Sequence, residues 1–203
     1  MTAPRLRPRK HPRQQRSQET VAVILEATRR VLVQRGYARA STAESARRAG
    51  VSIGSLYQYF PSKAALLAAL SEQHSQAMLQ VFEARLQQVQ GLSLREAIRV
   101  AIQAELEAFQ LNLPLHRVLF EEAPRLAPPA HIDRVQDQVV DLVKRALALR
   151  AEPLRALDPA LAAFVVVHAI DGVLQAALKR RPELVLTPAL LEECTELVLR
   201  YLS

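Results

Sequence analysis

Proline sets the strongest limit on what this chain can fold into. Twelve prolines occur among 203 residues, against only five glycines. In the second half they stand in "LNLP", "APRLAPP", "AEPLRALDP" and "RRPELVLTP", between long stretches whose apolar residues recur every three or four positions. Proline has no N–H and its ring collides with the preceding helical turn, so it is excluded from helix interiors but tolerated in a first turn. Pro129, Pro159 and Pro188 fall where such first turns are expected. Strong helix formers (Ala, Leu, Arg, Gln, Glu) dominate the remainder. The pattern predicts an all-α chain of about nine helices, over residues 17–35, 42–49, 53–59, 63–90, 94–110, 115–124, 129–150, 159–180 and 188–202.

Charge divides the chain unevenly. Residues 1–60 hold 12 Lys and Arg against 3 Asp and Glu, whereas the remaining 143 hold 15 against 17. All the excess positive charge lies in the first third, as expected of a polyanion-binding module on a nearly neutral body. Residues 1–16 carry six Lys/Arg and three prolines and read as a flexible basic arm. Such an arm either follows phosphates or enters a minor groove, or else it only adds general attraction. Arg29, Arg30, Arg35, Arg39, Arg47 and Arg48 lie beyond it, inside the helical pattern.

Several function classes are set aside. Cys194 is the lone cysteine, so no intramolecular disulfide forms, which fits a reducing cytoplasm. The basic N-terminus is followed by no apolar run and is not a secretory signal. The window "LAAFVVVHAIDGVLQAAL" (161–178) has the length of a membrane span. His168, Asp171 and Gln175 interrupt it, so a buried or interface helix is expected and no membrane. No phosphate-cradling glycine loop, nucleophile motif or H-E-x-x-H pattern is present, so no enzyme, catalytic residue or cofactor is expected. His116, Glu121 and His168 lack metal-ligand spacing, and no metal is expected.

The stretch "AGVSIGSLYQYFPSKAALL" (49–67) concentrates two of the four tyrosines and one of the five phenylalanines. Two short helices joined by "AGVS" satisfy a helix-turn-helix: Gly50 permits the turn, Val51 plugs the corner and Ser52 starts the second helix. Leu56 and Phe60, four apart, can anchor that helix. Ile53, Ser55, Tyr57, Gln58 and Tyr59 then spread over its outer surface. Gln58 suits adenine, serine a base edge, tyrosine hydroxyls a phosphate, and Ile53 a thymine methyl. Lys63 and Thr42, each at a helix start, suit phosphates. The plainer reading of Tyr57 and Tyr59 is packing with exposed hydroxyls.

Residues 20–70, and above all the run G-V-S-x-G-x-L-Y-x-Y-F-x-S-K-x-x-L from Gly50 to Leu66, resemble the DNA-binding domain of the TetR/AcrR family of bacterial transcriptional regulators. The resemblance implies phosphate contacts from Thr42 and Lys63, and a backbone or thymine-methyl contact from Tyr57. It implies further DNA contacts from Ser52, Ile53, Gly54, Ser55, Gln58 and Tyr59. One departure stands out: where the family usually carries an apolar pair in the second helix, "TAESA" puts Ala43 and Ser45, which implies a thinner local core. The expected organisation is a basic arm (1–16), a helix-turn-helix domain (17–62) and a helical ligand-binding and dimerisation domain (63–203).

In that last part, helices 159–180 and 188–202 are too apolar for one domain to cover. Phe164, Val167, Leu174, Leu190, Cys194, Leu197 and Tyr201 are expected at a homodimer interface. Polar groups in apolar stretches give ligand-pocket candidates: Phe109, His116, Phe120, Glu121, His168, Asp171 and Gln175. His168 and Asp171 have an alternative, a hydrogen bond to each other or a place at the dimer interface. The expected function is a sequence-specific regulator of double-stranded DNA, released from its operator by a small-molecule inducer. The competing reading is a non-specific DNA-binding protein.

Overall fold

The computed structural model describes residues 15–122, 130–150, 154–156, 158–185 and 187–203. The basic arm lies outside them, except for its last two residues. Nine α-helices and no strand occur among the described residues. They are α1 (Gln15–Arg39), α2 (Thr42–Ala49), α3 (Ile53–Tyr59), α4 (Lys63–Leu86), α5 (Leu94–Gln110), α6 (Leu113–Glu122), α7 (Ala130–Ala148), α8 (Pro159–Arg180) and α9 (Pro188–Leu202). The all-α expectation holds. Two compact units form, one from segments ending at Ser75 and spanning Asn112–Ile132, the other from Gln76–Leu111 and Asp133–Ser203. They interleave along the chain, whereas the division expected from sequence is contiguous at residue 62. The cause lies in α1, whose apolar side receives α6 as well as α2.

The first unit closes around one core. Ile24, Val31 and Leu32 of α1 meet Ala46 of α2, Leu56 of α3, Leu66 and Leu70 of α4, and Leu115 and Leu119 of α6. The "RGY" stop appears as a break within α1 at Gly36, whose φ of 68° and ψ of 167° belong to a region only glycine occupies readily. Ala43 is exposed and adds nothing to the core. Ser45 is buried and its hydroxyl donates to the Ser41 carbonyl at 3.2 Å, so the missing apolar side chain is replaced by a satisfied polar one. His74 of α4 and His116 of α6 are buried together, with Nε2 and Nδ1 3.1 Å apart in a hydrogen bond. Burial pushes both imidazoles down, and the neighbouring His74 helps bring His116 to about 3.

In the second unit α5 packs on α9, and α8 on α9. Ser93 and Glu96 form a reciprocal capping box at the start of α5. Asp158 caps α8 ahead of Pro159, and Thr187 caps α9 ahead of Pro188, so both prolines occupy first turns as expected. Arg95 pairs with Glu192 and Glu196, and Arg99 with Glu192, lacing α5 to α9 along their exposed edge. Ile98, Ile102, Leu106 and Phe109 of α5 are buried, as are Ile170 and Leu174 of α8 and Leu191, Val198 and Leu202 of α9. By length and composition α8 could cross a membrane, but a third of that apolar window is buried within the protomer. Its outer side exposes Leu161 (57%) and Phe164 (53%), and α9 exposes Leu197 (52%).

Candidate nucleic-acid interface

Local sequence builds the reading head. Ser41 caps α2 by accepting from the Glu44 N–H at 3.2 Å, which puts Thr42 in the first turn. Gly50 closes α2 in the left-handed region at φ 68°, its N–H returning to the carbonyls of Ala46 and Arg47. Val51, partly buried, packs against the core of the first unit, as the corner plug must. Ser52 then caps α3 by accepting from the Ser55 N–H at 3.0 Å, and its hydroxyl meets that of Ser55 at 2.8 Å.

A seven-residue helix cannot hold itself together in water. Leu56 (0%) and Phe60 (1%) fasten α3 to the core, and every other side chain of the segment is left outside or at the margin. Ser52, Ile53, Gly54, Tyr57 and Gln58 are exposed, while Ser55 and Tyr59 are half-buried. Tyr57 and Thr42 share a hydroxyl hydrogen bond of 3.0 Å that ties α3 to the start of α2. The Tyr59 hydroxyl donates to Ser17 Oγ at 3.4 Å, so this tyrosine is partly a packing residue. Lys63 is turned inward. Its ammonium donates to the Tyr37 carbonyl and lies 4.0 Å from the Tyr37 ring centre, a cation–π contact. A phosphate reaching Lys63 must therefore share it with the end of α1.

Two carboxylates organise the arginines of this unit. Glu26 receives Arg29 and Arg30, and the Arg29 hydrogen bond is the main reason its carboxyl is held down at about 2. Glu44 receives Arg47 and Arg48 and lies 3.8 Å from Arg35. Its carboxyl is held below the usual range chiefly by Arg47. Arg48 also donates to Gln34 at 2.7 Å. Solvent screens pairs of this kind, so the guanidinium groups can swing to a phosphate at little cost.

The ligand-pocket candidates separate. His116 belongs to the first unit, bonded to His74, and Phe109 to the second, as a core residue. The side chains of Phe120 and Glu121 lie outside the described residues. His168 is exposed, stacks on Phe164 at 4.2 Å and has its Nδ1 2.9 Å from the Phe164 carbonyl, so it does not pair with Asp171. Asp171 and Gln175 do come together: the amide of Gln175 donates to both carboxylate oxygens at 2.9 and 2.8 Å, and Gln136 of α7 donates at 3.3 Å. Sequence reasoning missed Gln136, and it missed Glu105 of α5. Burial, followed by the charge of Asp171, pushes the Glu105 carboxyl up to about 8. The missed signal was position: Glu105 stands between Ile102 and Phe109 on the inward stripe of its helix. Among the described residues no group of three or more His, Cys, Asp or Glu could hold a metal ion.

The expected dimer-interface residues separate too. Phe164 and Leu197 are exposed, and Val167, Leu190 and Tyr201 are half-buried. Leu174 (0%) and Cys194 (3%) are core residues of the protomer and cannot meet a second copy. On α8, apolar on most sides, periodicity does not say which stripe faces inward; on α9, Cys194 falls on the stripe of buried Leu191 and Val198. An apolar pocket of about 540 Å³, part of it open solvent, also lies in the second unit. It is lined by Leu86, Ile98, Val143, Leu147, Val198 and Arg150, among others, and Arg150 donates to the Leu92 carbonyl at 2.6 Å.

The family model for bacterial regulatory proteins of the tetR family matches residues 24–70, and that for a tetracyclin repressor-like C-terminal domain matches residues 93–202. An uncharacterised HTH-type transcriptional regulator of Mycobacterium bovis is 41% identical over 69 residues, which are 34% of this chain and 35% of the relative. The chain thus spans about a third of the length of the first curated relatives it matches. The HTH-type transcriptional activator FasR of Mycolicibacterium smegmatis is 30% identical over 149 residues, 70% of this chain and 67% of that one. The structure of SmeT, the repressor of the Stenotrophomonas maltophilia multidrug efflux pump SmeDEF, superposes with a TM-score of 0.67 at 24% identity, over 91% of this chain and 92% of the other.

Proposed function

The chain belongs to the TetR family of bacterial transcriptional regulators, and from that premise we propose that it is a cytoplasmic, dimeric repressor, released from a pseudo-palindromic operator by a small molecule. One observation carries the reading: Leu56 and Phe60 hold α3 from behind while Ile53, Tyr57 and Gln58 are left exposed on a basic unit. Such a helix enters a major groove, with Gln58 and Ile53 at base edges and Tyr57, Thr42 and the arginines at the backbone. The exposed apolar stripe of α8 and Leu197 of α9 are the proposed contact with a second copy. A two-fold pair of such helices about 34–36 Å apart reads two successive major grooves.

Release follows if the effector binds the DNA-free arrangement more tightly than the DNA-bound one; equal affinity for both shifts nothing. Its site is proposed in the second unit, and α4, which runs from one unit into the other, is the proposed connection. Activation is the second reading, because the M. smegmatis relative is an activator by name.

The test is a binding selection with purified protein and a random double-stranded DNA library at physiological salt. A shared inverted repeat is the expected result. Recovered DNA without a common motif would overturn sequence-specific reading and leave non-specific binding.

A further inference from the structure

The second unit holds a cavity that its own packing leaves open. Residues of α5, α7, α8, α9 and the end of α4 line it, and it comprises about 540 Å³, part of it open solvent. One wall is firm: α5 packs on α9, and Ile98, Ile102, Val198 and Leu202 are buried there. The wall made by α7 is loose. Over residues 133–148 no side chain of that helix is fully buried, although Val139, Leu142, Val143, Ala146 and Leu147 form an apolar stripe along it. Such a stripe ordinarily closes on a core, whereas Val143, Ala146 and Leu147 border the cavity.

The lining is chemically one-sided. Arg150 is the one polar side chain among the described residues that form it, and the others are Leu, Val, Ile and Ala, with no acid and no aromatic ring. Arg150 follows the end of α7 and donates to the Leu92 carbonyl at 2.6 Å, at the turn that precedes α5. It is half-buried, so solvent screens its charge less than that of a surface arginine. Arg155 adds positive charge at the same end of α9. Its backbone N–H donates to the carbonyl of Leu202, which lines the cavity, and its guanidinium lies 5.0 Å from the Tyr201 ring centre. We propose that this cavity is the receptor for an aliphatic monoanion, an alkyl chain ending in a carboxylate. The chain lies among Leu86, Leu94, Ala101, Val143, Leu147 and Val166, all half-buried, and the carboxylate meets Arg150. A guanidinium presents several N–H donors in a planar fork that matches a carboxylate, so the bond to Leu92 does not exhaust it. A neutral occupant would strip water from Arg150 and return nothing, whereas a carboxylate replaces that water with charge-assisted bonds. The inference rests on the ligand-responsive reading above, and names the cavity and the class of ligand.

Isothermal titration of the full-length chain at pH 7.5 tests it. The probes are hexanoate, octanoate, decanoate and dodecanoate, with the primary alcohol of each chain length as control. Each added methylene should tighten binding by up to about fourfold until the cavity is filled. The best carboxylate is expected to bind about tenfold or more tightly than its alcohol. Arg150→Met, which keeps the apolar stem, should bring the carboxylate down to its alcohol and leave the alcohol unchanged. Arg150→Lys should keep part of the preference. Were Arg150 only a clip between α7 and Leu92, Arg150→Met would weaken both ligands together. Ala101→Leu and Ala146→Leu fill the cavity from α5 and from α7, and each should shorten the longest chain that binds. Thermal melts verify that the variants fold; if Arg150→Met does not, Arg150→Gln and the two filling variants decide. Carboxylates no better than alcohols, equal loss of both in Arg150→Met, or chain-length limits indifferent to both filling variants overturn the proposal. Operator release is assayed separately. Arg150-dependent carboxylate binding without release would sink the ligand-responsive reading alone. Release by other compounds, undiminished in Arg150→Met and both filling variants, with no carboxylate preference, would sink the receptor alone.

Discussion

Leu56 and Tyr57 are neighbours in the chain with opposite tasks, and the difference is measurable. Leu56 is fully buried, so Leu56→Ala should cost about 2–5 kcal/mol of stability and abolish operator binding by releasing α3. Tyr57 is exposed and shares a hydroxyl hydrogen bond with Thr42, so Tyr57→Phe should change the thermal melt by less than about 0.5 kcal/mol. Its operator complex should nonetheless weaken by about 1 kcal/mol, a roughly fivefold change in a fluorescence-anisotropy titration. Loss of stability without loss of operator affinity would return Tyr57 to the packing role. Gly50 is a third kind of residue, needed for its backbone. At φ 68° a Cβ meets no atom but strains the chain, so Gly50→Ala should cost about 1–2 kcal/mol in a denaturant melt.

At the scale of elements, helix ends are written in short-range chemistry, and that chemistry was legible. Pro159 and Pro188 mark the starts of α8 and α9, the Ser93–Glu96 box that of α5, and Gly50 with Ser52 the corner between α2 and α3. Because the start of α2 depends on Ser41, Ser41→Ala should cost about 1 kcal/mol and weaken operator binding through Thr42, by thermal melt and anisotropy together. What stayed illegible depends on partners distant in sequence. Glu105 looks like any helical glutamate until α8 brings Asp171 beside it, 66 positions later in the numbering. His116 looked like a ligand residue because His74, 42 positions away, supplies its hydrogen bond. Lys63 looked free for a phosphate because the Tyr37 carbonyl that claims it belongs to a different helix. Leu174 shares the same fault: α8 is apolar on several sides, and only packing selects the buried one.

Across the whole molecule, the two units respond to pH in opposite directions. In the first, His116 titrates at about 3 when folded against 6.5 as a free imidazole, so the unfolded chain binds more protons between those values. Stability contributed there rises with pH and levels off above 6.5. In the second, Glu105 titrates at about 8 when folded against 4.5 free, so the folded chain binds more protons and stability falls as pH climbs from 4.5 to 8. Hydrogen exchange, corrected for its intrinsic pH dependence, should show α1–α3 gaining protection from pH 5 to 6.5 and α5 losing it from pH 6.5 to 8. His116→Asn should flatten the first trend and Glu105→Gln the second. The interleaving of the units bears on how such proteins can be recombined. Leu115 and Leu119 lie far downstream of the reading head, yet they complete the core that supports it. A chimera joined once, just after α3, would acquire its DNA specificity from one parent and part of that module's core from the other. Swapping operator specificity between relatives therefore calls for two exchanged segments, with α6 travelling alongside α1–α3.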